Sequence, residues 1–405
     1  MSRKTLSIFF TGLVALASPA AAQVAGEPEE PPMAFPAEIE QVTVDVVVTT
    51  KDDGQPVTDL TQADIEIYED GKLQTTTSFE MFEAAVPPAG QETPTETAAP
   101  RVSQRVSSNL DDDQRRGRTF VIVFDDVHLT MFTAQQAKAA VKDFVKNETA
   151  PGDRVTLVAP GSGTWWNTRM PEGQEEILEQ LERQEALLFP DTQKDRMSDY
   201  EAMRIHLFRD NMIINRVHRR YATFGVQTVL EGDMHTRSVM AEYDPYVMGK
   251  AAEVYYQSVA RNHVTLGAIV RALNSLVRIQ GRKSMILVSE GFVYDTHLPE
   301  FKSILAASRR ANTAIYFLNS RGLQGLPAMM DAEFSQMRPQ EDMGFAFSQE
   351  YETSEGSVSI AADTGGFTVR NNNDLAAGMK RIADETRAYY LIGYNPTNTS
   401  RDGKF

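Results

Sequence analysis

The chain contains no cysteine. That excludes disulfides, thiolate metal sites, a cysteine nucleophile and a lipidated cysteine anchor. Long apolar runs are scarce as well. The longest candidate, Leu6 to Leu16, is shorter than the ~20 residues that span a bilayer. It follows Arg3 and Lys4 and precedes Ala20-Ala21-Ala22. That is the layout of a cleaved export signal over residues 1–22, with no membrane span after its removal. Export without cysteine points to a bacterial envelope protein, periplasmic or secreted, whose stability comes from its core. Positive charge is short too: 40 Lys and Arg against 56 Asp and Glu give a net charge of -16. With no long basic stripe, a nucleic-acid partner is excluded. The cluster Arg216, His218, Arg219 and Arg220 reads as a solvated helix face.

Catalytic signatures are also missing. None of the six histidines stands in H-E-x-x-H. Gly161-Ser162-Gly163 is no nucleophile elbow, because Pro160 and Thr164 replace the outer glycines. No Gly-rich phosphate loop occurs. An enzymatic reading is left with His128 beside Asp125 and Asp126 as a base and its orienter, for example in a metal-assisted hydrolase.

The stretch that organises the rest is Arg118 to Thr130. Phe120 to Phe124 are apolar without a break and run into Asp125-Asp126. A short unbroken apolar run fits a strand covered on both faces. Carboxylates at its carboxyl end lie where open parallel sheets place their ligands. Strand and helix patterns then alternate: strands at 155–159, 284–289, 313–318, 367–369 and 388–394, with an antiparallel edge strand at 165–170. Helices are expected near 133–147, 173–187, 299–310 and 374–387. This is an α/β chain with a Rossmann-like, doubly wound, mostly parallel sheet over 118–395.

Residues 190–262 carry no strand pattern and read as a helical insertion. Ser198 with Glu201 is a capping box, and Asp244-Pro245 starts a long helix running to about Val277. Before the sheet domain, residues 38–83 alternate as strands, with a tight hairpin at Asp70-Gly71. They read as a small β-sandwich-like module that packs on something else. Residues 84–117 have linker composition. Asp402-Gly403 announces a further hairpin.

Several short stretches occur in a telling order: Val57-Thr58-Asp59-Leu60, Tyr68-Glu69-Asp70-Gly71, Phe124-Asp125-Asp126, Gly281-Arg282-Lys283-Ser284, Ser289-Glu290-Gly291, Asp363-Thr364-Gly365-Gly366 and Tyr389-Tyr390-Leu391-Ile392-Gly393-Tyr394. On these the chain resembles the von Willebrand factor A-related domain family first described from Acidobacteria. The resemblance implies a von Willebrand A-like sheet with a metal-ion-dependent adhesion site at its carboxyl edge. That site type uses D-x-S-x-S, a Thr from a second loop and an Asp from a third. Hydroxyls and carboxylates are hard ligands suited to Mg²⁺ or Ca²⁺.

This chain departs from that pattern. Counted from Asp125, the serine positions are Val127 and Leu129; counted from Asp126, they are His128 and Thr130. Glu290 corresponds to the third-loop acid. Thr265 supplies the second-loop hydroxyl if the long helix breaks near it. The metal candidates are therefore Asp125, Asp126, His128, Thr130, Glu290 and Thr265, and a histidine among them shifts the preference toward a transition metal. The alternative is a hydrogen-bonded loop and helix cap without metal.

The functional expectation is an exported, non-catalytic module that binds another protein or an envelope component through the carboxyl edge of the sheet. Trp165-Trp166 would supply an aromatic anchor there, or else cover the core and the edge strand. The alternative is an envelope scaffold or assembly factor that binds through the Met- and Tyr-rich insertion.

Overall fold

The computed structural model describes residues 42–50, 56–83, 117–191, 193–226, 244–279, 281–323 and 351–397. The export segment expected at 1–22, nearly all of the 84–117 linker and Asp402-Gly403 lie outside them. Among the described residues, no helix is long and apolar enough to cross a membrane.

The larger sheet has six strands: β5 (Thr119–Phe124), β6 (Arg154–Ala159), β7 (Thr164–Arg169), β8 (Lys283–Ser289), β9 (Thr313–Asn319) and β10 (Thr368–Val369). Their order is β10-β9-β8-β5-β6-β7. All neighbours are parallel except β6 and β7, so the edge strand at Trp165 is antiparallel as its pattern predicts. Every residue of β5 and β8 is buried. Alternation along β5 divides the core. Phe120, Ile122 and Phe124 face helices α1 (Met131–Asn147) and α2 (Gln174–Glu182). Val121 and Val123 face the opposite layer, where Leu266, Ile269, Leu273, Phe301 and Ile304 pack. Helices on both faces explain why these strands read as continuous apolar runs. Phe120 meets Phe144 of α1 edge to face at 5.1 Å, a geometry that stabilises by about 1 kcal/mol.

Three helices are described in and around the stretch expected as an insertion. Helix α3 (Asp199–Phe208) is capped by Ser198, which accepts from the Glu201 amide. Helix α4 (Asn211–Thr223) is capped by Asp210. Helix α5 (Pro245–Leu276) starts on the Asp244 cap and runs 32 residues without a break. Met203, Ile213, Val217, Tyr221, Val247 and Tyr255 form the core between these helices. The basic cluster is not a solvated face: His218 and Arg220 are buried, while Arg219 is exposed. Arg220 turns inward because Glu201 accepts from both of its terminal nitrogens, at 2.6 and 2.9 Å.

Helices α6 (Glu300–Ala311), α7 (Glu355–Asp363) and α8 (Leu375–Glu385) complete the layers. The Asp363-Thr364-Gly365-Gly366 stretch joins α7 to β10. Thr364 Oγ1 accepts from the Ile315 amide at 3.1 Å. A Cβ on Gly366 would lie 2.0 Å from the Ile315 carbonyl oxygen.

The small β unit differs from expectation in one central respect. Strand β11 (Ala388–Tyr394) does not join the six-stranded sheet. It lies between β1 (Val42–Val46) and β4 (Thr76–Glu83), antiparallel to both. The residues before 84 thus share a three-stranded sheet with the last described strand, and the boundary expected at 118 does not separate two sheets. Among the described residues this is one sheet beside the β2–β3 ribbon (Tyr68–Glu69, Lys72–Leu73), not a sandwich. The ribbon turns at Asp70-Gly71, both at positive φ, as a two-residue hairpin loop requires. The physical reason for the placement of β11 lies in its side chains. Tyr390 stacks on Phe79, and its hydroxyl donates to the Val57 carbonyl and accepts from the Leu60 amide. The Val57-Thr58-Asp59-Leu60 stretch is held by that tyrosine.

Candidate functional site

β5 ends at the middle of the sheet, and its ladder continues one residue further: the Asp125 amide donates to the Val288 carbonyl. The chain then turns tightly, with the His128 amide donating to the Asp125 carbonyl at 3.0 Å. This turn folds His128 back over the Asp125 side chain. His128 Nδ1 lies 3.1 and 3.0 Å from the two carboxylate oxygens.

Two hydroxyls from distant segments meet the same carboxylate. Thr265 Oγ1, from α5, donates to Asp125 Oδ1 at 2.6 Å, and Ser289 Oγ, from the end of β8, donates to Oδ2 at 2.6 Å. The far ring nitrogen, His128 Nε2, faces Asn262 Oδ1 at 3.1 Å. All five side chains are buried. Phe292 packs against the imidazole, with centroids 5.3 Å apart. The Asp125 carboxylate thus ties three segments (the β5 turn, α5 and the β8 end) into one buried polar cluster. Buried charge is tolerated only when satisfied in this way.

Asp126 points elsewhere. Its oxygens accept from the amides of Gly161 and Ser162, both at 2.7 Å, pinning the β6–β7 turn. Burial pushes this carboxyl above its ordinary range; the two amides pull it back, and the Asp125 charge adds to the rise. Gly161 is required for that approach, since a Cβ there would lie 2.7 Å from Val127 Cγ1.

Glu290 and Thr130 form a third group at the start of α1. Glu290 Oε1 accepts from the Thr130 amide at 2.8 Å and from Thr133 Oγ1 at 2.6 Å. Its other oxygen accepts from Arg321 Nε at 3.2 Å. A carboxylate beside free helix amides is favourable electrostatically.

The six sequence candidates therefore fall into three centres. Asp125, His128 and Thr265 come together; Asp126 serves the β6–β7 turn; Thr130 and Glu290 cap a helix. Thr265 reaches Asp125 from an unbroken helix, so the break posed as its condition does not occur. Ser289, Asn262 and Thr133 were not among the candidates. Asn262 and Thr265 did carry a signal: both stand in the stripe that continues through Leu266, Ile269 and Leu273, polar residues at core positions of an amphipathic helix.

The folded donor set does not fit Mg²⁺ or Ca²⁺. Both Asp125 oxygens already accept short bonds, and the imidazole occupies the space in front of them. Val127 and Leu129, at the serine positions of the pattern, are buried, with Leu129 in the apolar core. Among the described residues no group of three or more His, Cys, Asp or Glu side chains is arranged to hold a metal ion. The ring nitrogen that a general base would offer faces Asn262 Oδ1.

Exposed apolar side chains stand at this edge as well. Met131, Phe132 and Phe189 are 73, 71 and 78% exposed. Phe189 is held at that edge because the Leu187 and Leu188 amides donate to the carbonyls of Asp126 and Leu129. Trp165 and Trp166 open the edge strand just after the turn that Asp126 holds, and both are substantially exposed.

No family model matches the chain, and no curated protein does. Among solved structures the chain is similar to an aerotolerance-related membrane protein from Bacteroides fragilis NCTC 9343 carrying multiple mutations to serines. The identity is 12% and the TM-score 0.30, over 66% of this chain and 98% of that one. The architecture described above rests on strand order and packing, not on that likeness.

Proposed function

We propose that the chain is a non-catalytic binding module that engages another protein or an envelope component through the carboxyl edge of its six-stranded sheet. The observation that carries this reading is the rim of Met131, Phe132 and Phe189, exposed large side chains held on a cross-linked platform. Clustered exposed apolar groups of this kind mark interaction surfaces, and aromatic anchors dominate binding energy. Trp165 and Trp166 extend the rim. The von Willebrand A-related resemblance supports the same edge, and the export signature supports an envelope location.

The reading of a scaffold that binds through the insertion keeps one observation in its favour, the exposed pair Phe208 and Met212 on α3 and α4. Of the Met and Tyr residues that suggested it, Met197, Met203 and Tyr221 are core instead. Photo-cross-linking separates the two. A photoreactive side chain is placed at Phe132 or Phe189, and in a separate variant at Met212, and the cells are irradiated. Adducts from the first two positions and none from the third support the sheet edge. Adducts from position 212 alone transfer the function to the insertion.

A further inference from the structure

We infer that the imidazole of His128 stands in place of a divalent cation, so that the carboxyl edge is cross-linked by a side-chain N–H, and that removing the ring opens a hard-cation site built from Asp125, Thr265 and Ser289. The inference rests on the geometry around one nitrogen, independently of any binding partner. His128 Nδ1 has three oxygens at nearly equal range: Asp125 Oδ1 at 3.1 Å, Asp125 Oδ2 at 3.0 Å and Thr265 Oγ1 at 3.2 Å. Ser289 Oγ adjoins the same carboxylate, and Asn262 Oδ1 faces the other ring nitrogen. A carboxylate and two hydroxyls are donors that hard cations take, with water completing the shell. They come from three segments of the chain, so whatever sits among them holds those segments together.

The ring explains why a cation is not needed. A carboxylate buried among apolar residues needs donors aimed at it. Nδ1–H and the two hydroxyls supply them without an ion. Asp126 and Glu290 do not compete for the position, because the backbone amides of Gly161 and Ser162 hold the first and the α1 cap and Arg321 hold the second. Without the ring, Asp125 keeps its two hydroxyl donors and gains an open face. Contraction from about 3 Å toward the ~2.0–2.6 Å of Mg²⁺ or Ca²⁺ coordination then requires only rotamer adjustments in the hydroxyls and a small shift of the carboxylate.

The test is calorimetric titration of the purified full chain with Mg²⁺, Ca²⁺ and Mn²⁺, alongside thermal unfolding with each cation and with EDTA. The wild type is expected to give no saturable heat and an unchanged unfolding temperature in every condition. His128→Ala, with native circular dichroism, is expected to gain saturable binding and to unfold at higher temperature with cation present. Asp125→Asn added to His128→Ala is expected to abolish that gain. His128→Ser, which adds a small oxygen donor in place of the ring, repeats the test should the alanine variant not fold. Cation binding by the wild type that Asp125→Asn removes would overturn the inference, whatever the variants do. So would folded His128→Ala and His128→Ser that bind none of the three ions.

Discussion

Replacing Thr265 by valine is the most informative single change at the cluster. Valine keeps the shape of threonine and nearly the same helix propensity, so the perturbation reduces to one hydroxyl. That hydroxyl donates to a buried carboxylate at 2.6 Å, with both residues fully buried. Hydrogen bonds to charged groups contribute about 1.5–3 kcal/mol. Asp125 keeps Ser289 and His128, which holds the expected loss near 2 kcal/mol, about a thirtyfold fall in the folding constant. Urea unfolding followed by circular dichroism measures it as a lower midpoint with an unchanged slope. Ser289→Ala removes the other hydroxyl and also strips the Gly291 amide of its acceptor. Because the two hydroxyls share one carboxylate, the double variant should depart from additivity by at least about 0.5 kcal/mol. A Thr265→Val cost under about 0.5 kcal/mol, or a strictly additive pair, refutes the idea of a single cross-linked cluster.

Three further outcomes are expected. Glu201→Gln keeps the capping group of α3 but leaves the Arg220 charge buried without its partner, so stability should fall by about 3–5 kcal/mol; a loss below about 1 kcal/mol in chemical unfolding contradicts the buried pair. Lys283 is almost fully buried, and burial lowers its ammonium to about 8, with Asp45 opposing the shift. A depressed lysine favours folding above its unfolded value and loses that contribution as pH falls through about 8. Stability relative to Lys283→Met should therefore rise by about 3 kcal/mol between pH 7 and pH 10.5, and a flat difference across that window refutes it. At the α7–β10 joint, Gly366→Ala should cost about 3 kcal/mol by driving a methyl into the Ile315 carbonyl. Gly365→Ala, strained only by its positive φ and otherwise in open space, should cost about 1–2 kcal/mol; thermal melts showing the reverse order would contradict the packing described.

Much of this was legible in the chain. The apolar run Phe120 to Phe124 announced a doubly covered central strand, and the structure buries every residue of it. Ser198 with Glu201 and Asp244-Pro245 marked two helix starts, because capping is chemistry confined to a few neighbouring residues. The cluster was half legible. Asp125 and His128 are three residues apart in one turn, whereas Ser289 and Asn262 join them only through tertiary packing. Neighbouring Asp125 and Asp126 looked equivalent in sequence, yet the turn aims them at different partners. Arg220 looked solvated because a string of basic residues does not reveal Glu201 on the adjoining helix. The destination of Ala388 to Tyr394 was hidden for a related reason: alternation identifies a strand but not which strands flank it.

That destination has a consequence for the order of events during synthesis. Leu60 and Tyr390 are joined although 330 positions separate them. During synthesis, β1 and β4 lack the strand they pair with until nearly all the described chain has appeared. Until then each is an open strand edge, the feature most prone to pair with a neighbouring molecule. Closing the small sheet is thus a late, long-range step, and such steps are slow. A chain interrupted before residue 388 leaves both β1 and β4 without the strand they share.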